Sequence, residues 1–188
     1  DRLVAAGVQT AVVNLHYKAD MLRAHLAKRT DIEIVYSDET GELLGTGGGI
    51  IKALPLLGSE PFFVLNSDSI WVEGIAPPAT SRMIEIWNPD EMDGLLLMAS
   101  MVTAMGYEGR GDFVMDAQGR IRRPQEGEDA PYIFTGVEII HPRAFEGCPQ
   151  GKFSLSLLWN AHRDAQGWLT RIRAIVHEGA WLNVGDLA

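Results

Sequence analysis

The sequence predicts a single α/β domain over residues 1–188, built on a mixed, mostly parallel sheet. Apolar runs such as VQTAVVNL, PFFVL and GLLLMAS are typical of buried strands. They alternate with segments of helical periodicity, as expected for a sheet covered by helices on both faces. At 188 residues and 46 % hydrophobic content, the chain is long enough to bury a substantial core.

The first half of the chain alternates regularly between strand and helix. Ala19, Leu22 and Leu26 fall at helical spacing, which predicts a helix between the strand at 8–15 and the strand DIEIVYS. The remaining predictions are a glycine loop followed by a short helix in GIIKALPLL, a strand in PFFVLNSDS, a helix around SRMIEIWNPDEM and a strand in GLLLMASMV.

The second half has a more antiparallel pattern. GDFVMDAQGRIRR predicts a hairpin with its turn near Gln118-Gly119, and PYIFTGVEIIHP predicts a long strand. A helix is expected in FSLSLLWNAHRDAQG, with Leu155, Leu158 and His162 on one stripe, and two strands are expected in LTRIRAIVHEGAWLNVG.

Composition excludes several classes of protein. The formal net charge of −9 argues against a nucleic-acid or anionic-membrane surface, since both require clustered Lys and Arg. No apolar run approaches the ~20 residues of a membrane span. Cys148 is the only cysteine, which excludes a disulfide framework or a thiolate zinc site and favours a cytoplasmic protein.

Both ends of the sequence suggest a fragment. DRLVAAG is typical of the last turns of a helix that ends at Gly7, and WLNVGDLA stops just after a predicted strand. We therefore expect a domain that is truncated at its N-terminus and also at its C-terminus.

Two features stand where an open α/β sheet binds ligands, beyond the carboxyl ends of its strands. The segment LGTGGGI lets backbone approach a ligand, and Asp68 follows an apolar strand, where a carboxylate suits Mg²⁺. Together they indicate phosphate and magnesium. Alone, each has a plainer interpretation, because glycine-rich turns are common and Asp68 could simply end a strand. The spacing fits neither a P-loop nor a dinucleotide-binding motif.

The order of five segments resembles the sugar-1-phosphate nucleotidyltransferases over nearly the whole chain. They are LLGTGGGIIKALPLLG, FFVLNSDSIW, GRGDFVMD, IFTGVEIIHPRAFEGC and WLNVGD. The resemblance implies a Rossmann-like, glycosyltransferase-A-like three-layer sandwich. It also implies a reaction in which an NTP and a sugar 1-phosphate give an NDP-sugar and pyrophosphate, with Mg²⁺ as cofactor.

The resemblance also implies roles for particular residues. Asp68 would be the catalytic metal ligand, with Asn183 as a second ligand. The nucleotide base and ribose, rather than its phosphates, would lie at the glycine loop. The implied nucleotide-binding residues are Thr46, Gly47, Gly48, Gly49 and Asn66, and the implied sugar-binding residues are Gly111, Asp112 and Gly136.

The sequence departs from the family pattern in three places. The basic, glycine-rich N-terminal signature that grips the triphosphate is absent, so we expect this chain alone to be inactive. Asn183 stands where the family commonly has an Asp, which predicts weaker Mg²⁺ binding. Gly45 replaces an acidic residue that often precedes TGGG, which weakens any choice of base.

Three functions remain open at this point. The nearest branch of the family uses UTP and N-acetylmuramate 1-phosphate in peptidoglycan recycling. A second possibility is transfer from GTP to mannose 1-phosphate. The third is a non-catalytic sensor of nucleotide sugars, which Asn183 favours and Asp68 disfavours. Each would bind small molecules only, and the sequence does not indicate an oligomeric state.

Overall fold

The computed structural model describes residues 1–161 and 163–184. The chain forms two compact units, and the predicted single domain stays a prediction. The first unit comprises Asp1–Glu60 with Phe145–Trp159, and the second comprises Pro61–Ala144 with the described residues from Asn160 onward. In the described ranges, no helix has the length and apolar character needed to span a membrane.

The first unit is built on a parallel strand pair. Its elements are α1 (Arg2–Ala5), β1 (Thr10–Leu15), α2 (Ala19–Leu26), β2 (Glu33–Asp38) and α3 (Gly45–Leu57). Strands β1 and β2 pair in parallel from Thr10↔Glu33 to Leu15↔Asp38, and α2 makes the crossover that a parallel pair requires. Helix α1 ends at Ala5, and Gly7 follows its C-cap with a φ of +85°, the left-handed conformation common after a helix.

Helix α3 begins earlier than the sequence predicts. Gly47, Gly48 and Gly49, which the sequence predicts in a loop, lie in the first turns of this helix, which begins at Gly45. Three glycines weaken an isolated helix, but tertiary packing outweighs local propensity, and Gly47, Gly48 and Gly49 are all buried. The glycine loop is therefore a correction: the motif lies in a packed helical turn.

The second unit contains most of the strands. They are β3 (Phe62–Leu65), β4 (Ser69–Val72), β5 (Gly94–Ser100), β6 (Ala104–Met105), β7 (Val114–Met115), β8 (Ile121–Arg122), β9 (Tyr132–Ile140), β10 (Ile172–Val176) and β11 (Ala180–Asn183), with helix α4 (Ala79–Ile86) between β4 and β5. The chain also forms 3₁₀ turns at Pro142–Phe145 and Leu155–Leu157, and a short helix α5 (Leu158–Ala161).

The main sheet of this unit is mixed, as predicted. Its strand order is β10-β5-β9-β3. Strand β10 is parallel to β5, whereas β9 is antiparallel to both β5 and β3. Three of these four strands therefore run in one direction, and β9 alone runs against them. The buried core of the unit includes Trp71, Met83, Leu95, Leu97 and Trp181.

Two smaller sheets complete the second unit. Strand β11 lies between β4, to which it is antiparallel, and β6, to which it is parallel. Strands β7 and β8 form the predicted hairpin, and Gly119 closes its turn with a φ of +73° and an N–H donated to the carbonyl of Asp116.

The helix predicted in FSLSLLWNAHRDAQG is wrong in length. Leu155 and Leu158 are buried as the stripe requires, but α5 ends at Ala161, and His162 lies outside the described residues. Asp164 supplies the reason, because its carboxylate accepts the N–H groups of Gln166 and Trp168. An aspartate that caps its own turn competes with helix.

Asp93 ties the beginning of β5 to two arginines. Its carboxylate accepts hydrogen bonds from Arg143 Nε at 2.5 Å and Arg171 Nε at 2.9 Å. Burial alone would raise the pKa of the Asp93 carboxyl, but the two guanidinium groups together lower it below its ordinary value. The folded state therefore favours the ionised carboxylate.

We expect Asp93→Asn to lower stability at neutral pH by about 1–3 kcal/mol, because two guanidinium groups lose a charged acceptor. This corresponds to a fall in Tm of about 2–4 °C per kcal/mol for a chain of this size. Since the folded pKa is depressed, the contribution is present above the ordinary carboxyl pKa of about 3.9 and is lost as the pH falls through the folded value. Thermal unfolding of both proteins from pH 7 to pH 3 should show the gap closing; a constant gap would contradict the ion-pair account.

Candidate active site

At the three glycines of the TGGG motif, neighbouring atoms of the same chain occupy the space that a side chain would take. A Cβ on Gly47 would lie 2.3 Å from the ring of Phe153, and one on Gly48 would lie 2.1 Å from the carbonyl oxygen of Gly151. A Cβ on Gly49 would lie 2.8 Å from Oε1 of Glu39. A side chain at Gly48 would collide with backbone, whereas one at Gly47 or Gly49 would displace the side chain of Phe153 or Glu39. The first turn of α3 therefore requires glycine most strictly at Gly48.

The polar groups of this turn also have internal partners. The N–H groups of Gly47 and Gly48 both point to the carbonyl of Phe153, at 3.0 and 3.4 Å. The Thr46 hydroxyl accepts the N–H of Leu155 at 2.9 Å. These residues, predicted to bind nucleotide, hold the segment 153–155 against α3. Their nucleotide-binding role remains a prediction.

Asn14 and Glu39 are site residues that the sequence reasoning missed. Glu39 follows β2 and is 5 % exposed, and its Oε1 accepts a hydrogen bond from Nδ2 of Asn14 on β1. The same Asn14 amide lies 3.1 Å from the carbonyl oxygen of Gly49, to which it donates. A signal was available, because polar residues at the carboxyl ends of two parallel strands meet at one edge. The pair fixes the glycine turn of α3.

Gly45 has a conformational reason to differ from the family pattern. Its φ is +70°, and a Cβ there would lie 2.8 Å from the carbonyl oxygen of Phe153. An acidic side chain at this position would be strained as well as crowded. The carboxylate next to this helical turn comes instead from Glu39.

In the second unit, Asp68 and Asn183 lie at neighbouring strand ends. Asp68 is in the turn before β4, and the Val184 N–H points to its carbonyl oxygen at 3.4 Å. Ser69 pairs with Asn183 in the antiparallel ladder. The Asp68 side chain is exposed, and its carboxylate has no hydrogen-bond or ion-pair partner among residues 1–161 and 163–184. It is therefore available to a ligand.

Gly136 lies in a bulge of β9, and Asn66 is hydrogen-bonded to this bulge. Leu97 of β5 faces three residues of β9, because Leu96 pairs with Glu138 and Met98 pairs with Phe134. The φ of Gly136 is +81°, and its carbonyl accepts the N–H of Asn66 at 2.8 Å. Bulges of this kind redirect a strand beside functional sites.

Gly111 and Asp112 also border β9. A Cβ on Gly111 would lie 1.9 Å from the carbonyl oxygen of Ala130, so its glycine is again required by the chain itself. The Asp112 carboxylate accepts the N–H of Phe134 at 3.0 Å and lies 3.6 Å from Arg123. Of the predicted sugar-binding residues, Gly136 is therefore part of β9, and Asp112 is hydrogen-bonded to this strand at Phe134.

Arg123 is a second group that the sequence reasoning missed. Its guanidinium stacks on the ring of Phe113, with 4.2 Å between Cζ and the ring centroid, and donates to the Asp112 carbonyl at 3.1 Å. Burial lowers the pKa of Arg123, and the Asp112 carboxylate opposes that shift. A cation held in this way is positioned to meet an anionic group.

The donors at Asp68 and Asn183 fit a hard cation. In the described part of the chain, no three or more Asp, Glu, His or Cys side chains cluster as metal ligands. One exposed carboxylate and one amide at neighbouring strand ends offer oxygen atoms, the type of ligand that Mg²⁺ takes together with several waters. The same pair does not suit zinc, which takes sulfur, nitrogen and several protein ligands.

Solved structures identify the class of fold. HddC from Yersinia pseudotuberculosis, complexed with GMP-PN, superposes with a TM-score of 0.73 over 98 % of this chain and 77 % of that chain, at 23 % identity. The inositol-1-phosphate CTP transferase from T. maritima gives 0.70 over 96 % of this chain and 72 % of that chain, at 16 % identity. The chain therefore has the Rossmann-like α/β fold of the nucleotidyltransferases.

Sequence relatives identify the family. N-acetylmuramate alpha-1-phosphate uridylyltransferase of Caulobacter vibrioides is 45 % identical over 99 % of this chain and 76 % of its own length. Its Neisseria meningitidis counterpart is 29 % identical over 99 % and 77 %. Mannose-1-phosphate guanyltransferase beta-B of Xenopus laevis is 45 % identical over 99 % of this chain but only 51 % of its own. No protein-family model matches the sequence.

The chain belongs to the sugar-1-phosphate nucleotidyltransferases, enzymes that transfer a nucleotidyl group to a sugar 1-phosphate. Within the family it is similar to N-acetylmuramate alpha-1-phosphate uridylyltransferase in particular.

The packing of the glycine turn gives a testable distinction between its two interpretations. We expect Gly48→Ala to lower stability by about 1–3 kcal/mol without any ligand, because the Gly151 backbone blocks the new methyl group. Gly41→Ala is the matched control, since nothing lies within 4 Å of a Cβ there, and its effect should stay within about 0.5 kcal/mol. Denaturant unfolding of both variants decides the point. Equal stability of the two would show that the turn yields and that its glycines serve the ligand alone.

Proposed function

We propose that the protein transfers uridylyl from UTP to N-acetylmuramate 1-phosphate in the presence of Mg²⁺, releasing pyrophosphate. The observation that carries this proposal is the 45 % identity to a uridylyltransferase of that specificity along 99 % of the chain. A second relative of the same name supports it. The product would be a UDP-linked muramate, which assigns the protein to peptidoglycan recycling in the cytoplasm.

The reaction requires positioning more than covalent chemistry. A phosphate oxygen of the sugar 1-phosphate attacks the α-phosphorus of UTP in line, and pyrophosphate leaves with the electron pair of the broken bond. Asp68 and Asn183 would hold the Mg²⁺ ion, which neutralises charge on the phosphate oxygens when bound. Arg123, held by Asp112, is the side chain that we assign to the phosphate of the sugar.

In the first unit we assign the uridine to the glycine turn of α3. The Gly47 and Gly48 N–H groups already donate to the Phe153 carbonyl, so they would not bond to the uridine. Instead, the uridine would pack closely against the glycine backbone, where no side chain intervenes. In the second unit we assign Asn66 to the nucleotide, and Gly111, Asp112 and Gly136 to the sugar.

Two other functions keep a specific observation in their favour. A guanylyltransferase that uses mannose 1-phosphate is supported by the Xenopus relative, although this chain spans about half of that protein. A non-catalytic sensor is supported by Asn183, because an amide gives the metal no charge. The exposed, unpartnered Asp68 carboxylate weighs against the sensor.

The deciding experiment is Mg²⁺-dependent pyrophosphate release, measured on this chain and on the full-length product of its gene. One reaction contains UTP with N-acetylmuramate 1-phosphate, and the other contains GTP with mannose 1-phosphate. We expect release in the first reaction. Release only in the second reaction would support the guanylyltransferase. Nucleotide binding without release in either would support the sensor.

The metal ligands give a second prediction. Asp68→Asn should lower kcat/KM of the full-length enzyme by about 100-fold or more, because the metal loses the one carboxylate that we assign to it among the described residues. Asn183→Asp should lower the Mg²⁺ concentration for half-maximal rate several-fold, because it adds a charge to the site. A Mg²⁺ titration of the initial rate measures both effects. An unchanged half-maximal concentration in Asn183→Asp would remove Asn183 from the metal site.

A further inference from the structure

The loop between β6 and β7 is fixed at its beginning by an aromatic anchor. We call residues Gly106–Asp112 the arginine loop. The Tyr107 ring meets Trp181 edge-on, with ring centroids 6.2 Å apart and planes at 60°. Trp181 Nε1 in turn donates to the carbonyl of Thr135 at 3.3 Å, next to the Gly136 bulge. The anchor therefore connects this loop to β9.

The arginine loop also folds back on its own anchor. A Cβ on Gly109 would lie 2.4 Å from the Tyr107 ring, so only glycine lets the chain pass over that ring. Burial raises the pKa of Tyr107, and the Asp112 carboxylate raises it further. Asp112 closes the loop through the Phe134 N–H. The arginine loop is thus held at Tyr107 by Trp181, which bonds to β9, and at Asp112 by β9 itself.

Arg110 projects from the tip of this anchored loop between Gly109 and Gly111. Its side chain is exposed, and it has no hydrogen-bond or ion-pair partner in the described ranges. The neighbouring Arg123 differs, because Asp112 engages it. Within the described residues, Arg110 is therefore a cation without an internal partner, on a loop held at both ends and directly before a residue assigned to the sugar.

We propose that Arg110 is a specificity-determining residue that recognises the carboxylate of an acidic sugar 1-phosphate. The proposal rests on the proposed function. N-acetylmuramate is N-acetylglucosamine with a lactyl ether, so it carries a carboxylate that N-acetylglucosamine and mannose lack. A guanidinium can bind a carboxylate through two parallel hydrogen bonds, which favours this substrate over neutral sugars. Because the loop is held at Tyr107 and at Asp112, the backbone that carries this guanidinium has a defined place beside β9.

The test compares two substrates that differ only in the lactyl group. With UTP and the full-length enzyme, kcat/KM is measured for N-acetylmuramate 1-phosphate and for N-acetylglucosamine 1-phosphate. We expect Arg110→Ala to reduce the first value by about 10- to 100-fold and to leave the second within about twofold, mainly through KM. Arg110→Lys should restore part of the preference. Arg120→Ala, on the β7–β8 hairpin, is the matched control and should change neither value.

A loop variant tests the positioning by Tyr107. Gly109→Ala should displace the Tyr107 ring and weaken the preference for the acidic sugar, and Tyr107→Ala in the same chain should relieve the collision. Equal losses on both substrates in Arg110→Ala would overturn the assignment, as would a preference that this variant keeps. If the wild-type enzyme turns over sugar 1-phosphates without preferring the acidic one, the role proposed for Arg110 is wrong, but the nucleotidyl transfer stands. A wild-type enzyme that uses no UTP would overturn the proposed function itself.

Discussion

The reversed strand β9 is the constraint on which the second unit depends. It is buried along most of its length and pairs on both sides with strands that run the other way. The bulge at Gly136 then disturbs its ladder with β5, and Thr135 compensates by donating its hydroxyl hydrogen to the Leu97 carbonyl at 2.8 Å. Asn66, Asp112 and Trp181 all bond to this one distorted segment. The elements assigned to metal and sugar therefore share a single support.

The first unit meets a different constraint, since it must hold three consecutive glycines in a helix. Glycine in a helix costs about 1 kcal/mol relative to alanine, so the turn needs support from outside itself. Phe153 supplies a carbonyl and a ring, and Asn14 and Glu39 supply a buried polar pair. The negative carboxylate lies against the first turn of α3, where the helix dipole favours it. Close packing and a possible ligand-binding face are thus compatible uses of the same glycines.

Sequence reasoning predicted the elements better than their contacts. Periodicity located β1, β2 and the hairpin of β7 and β8, and it indicated that the second half of the chain is more antiparallel, because these features depend on local pattern. It missed the helical state of residues 46–49, since tertiary packing overrides glycine's propensity there. It also missed Glu39 and Arg123, whose partners lie 25 and 11 residues away along the chain. A pattern read along the chain carries no information on such pairings. The position after an apolar strand indicated Asp68 as a candidate ligand, and the resemblance to a family added Gly136.

Charge explains why a few side chains should dominate binding. Both substrates of a nucleotidyltransferase are anions, and the protein carries a formal net charge of −9, so its long-range field opposes their approach. Screening at physiological salt reduces that repulsion beyond about 8 Å, which leaves short-range cations to determine affinity. The described candidates in the second unit are few: Arg123, which contacts Asp112, and Arg110, which has no internal partner among the described residues. An acidic sugar adds one more negative charge to this unfavourable balance. A cation that meets this charge directly would offset the added repulsion, and this is the role that we propose for Arg110 on the arginine loop.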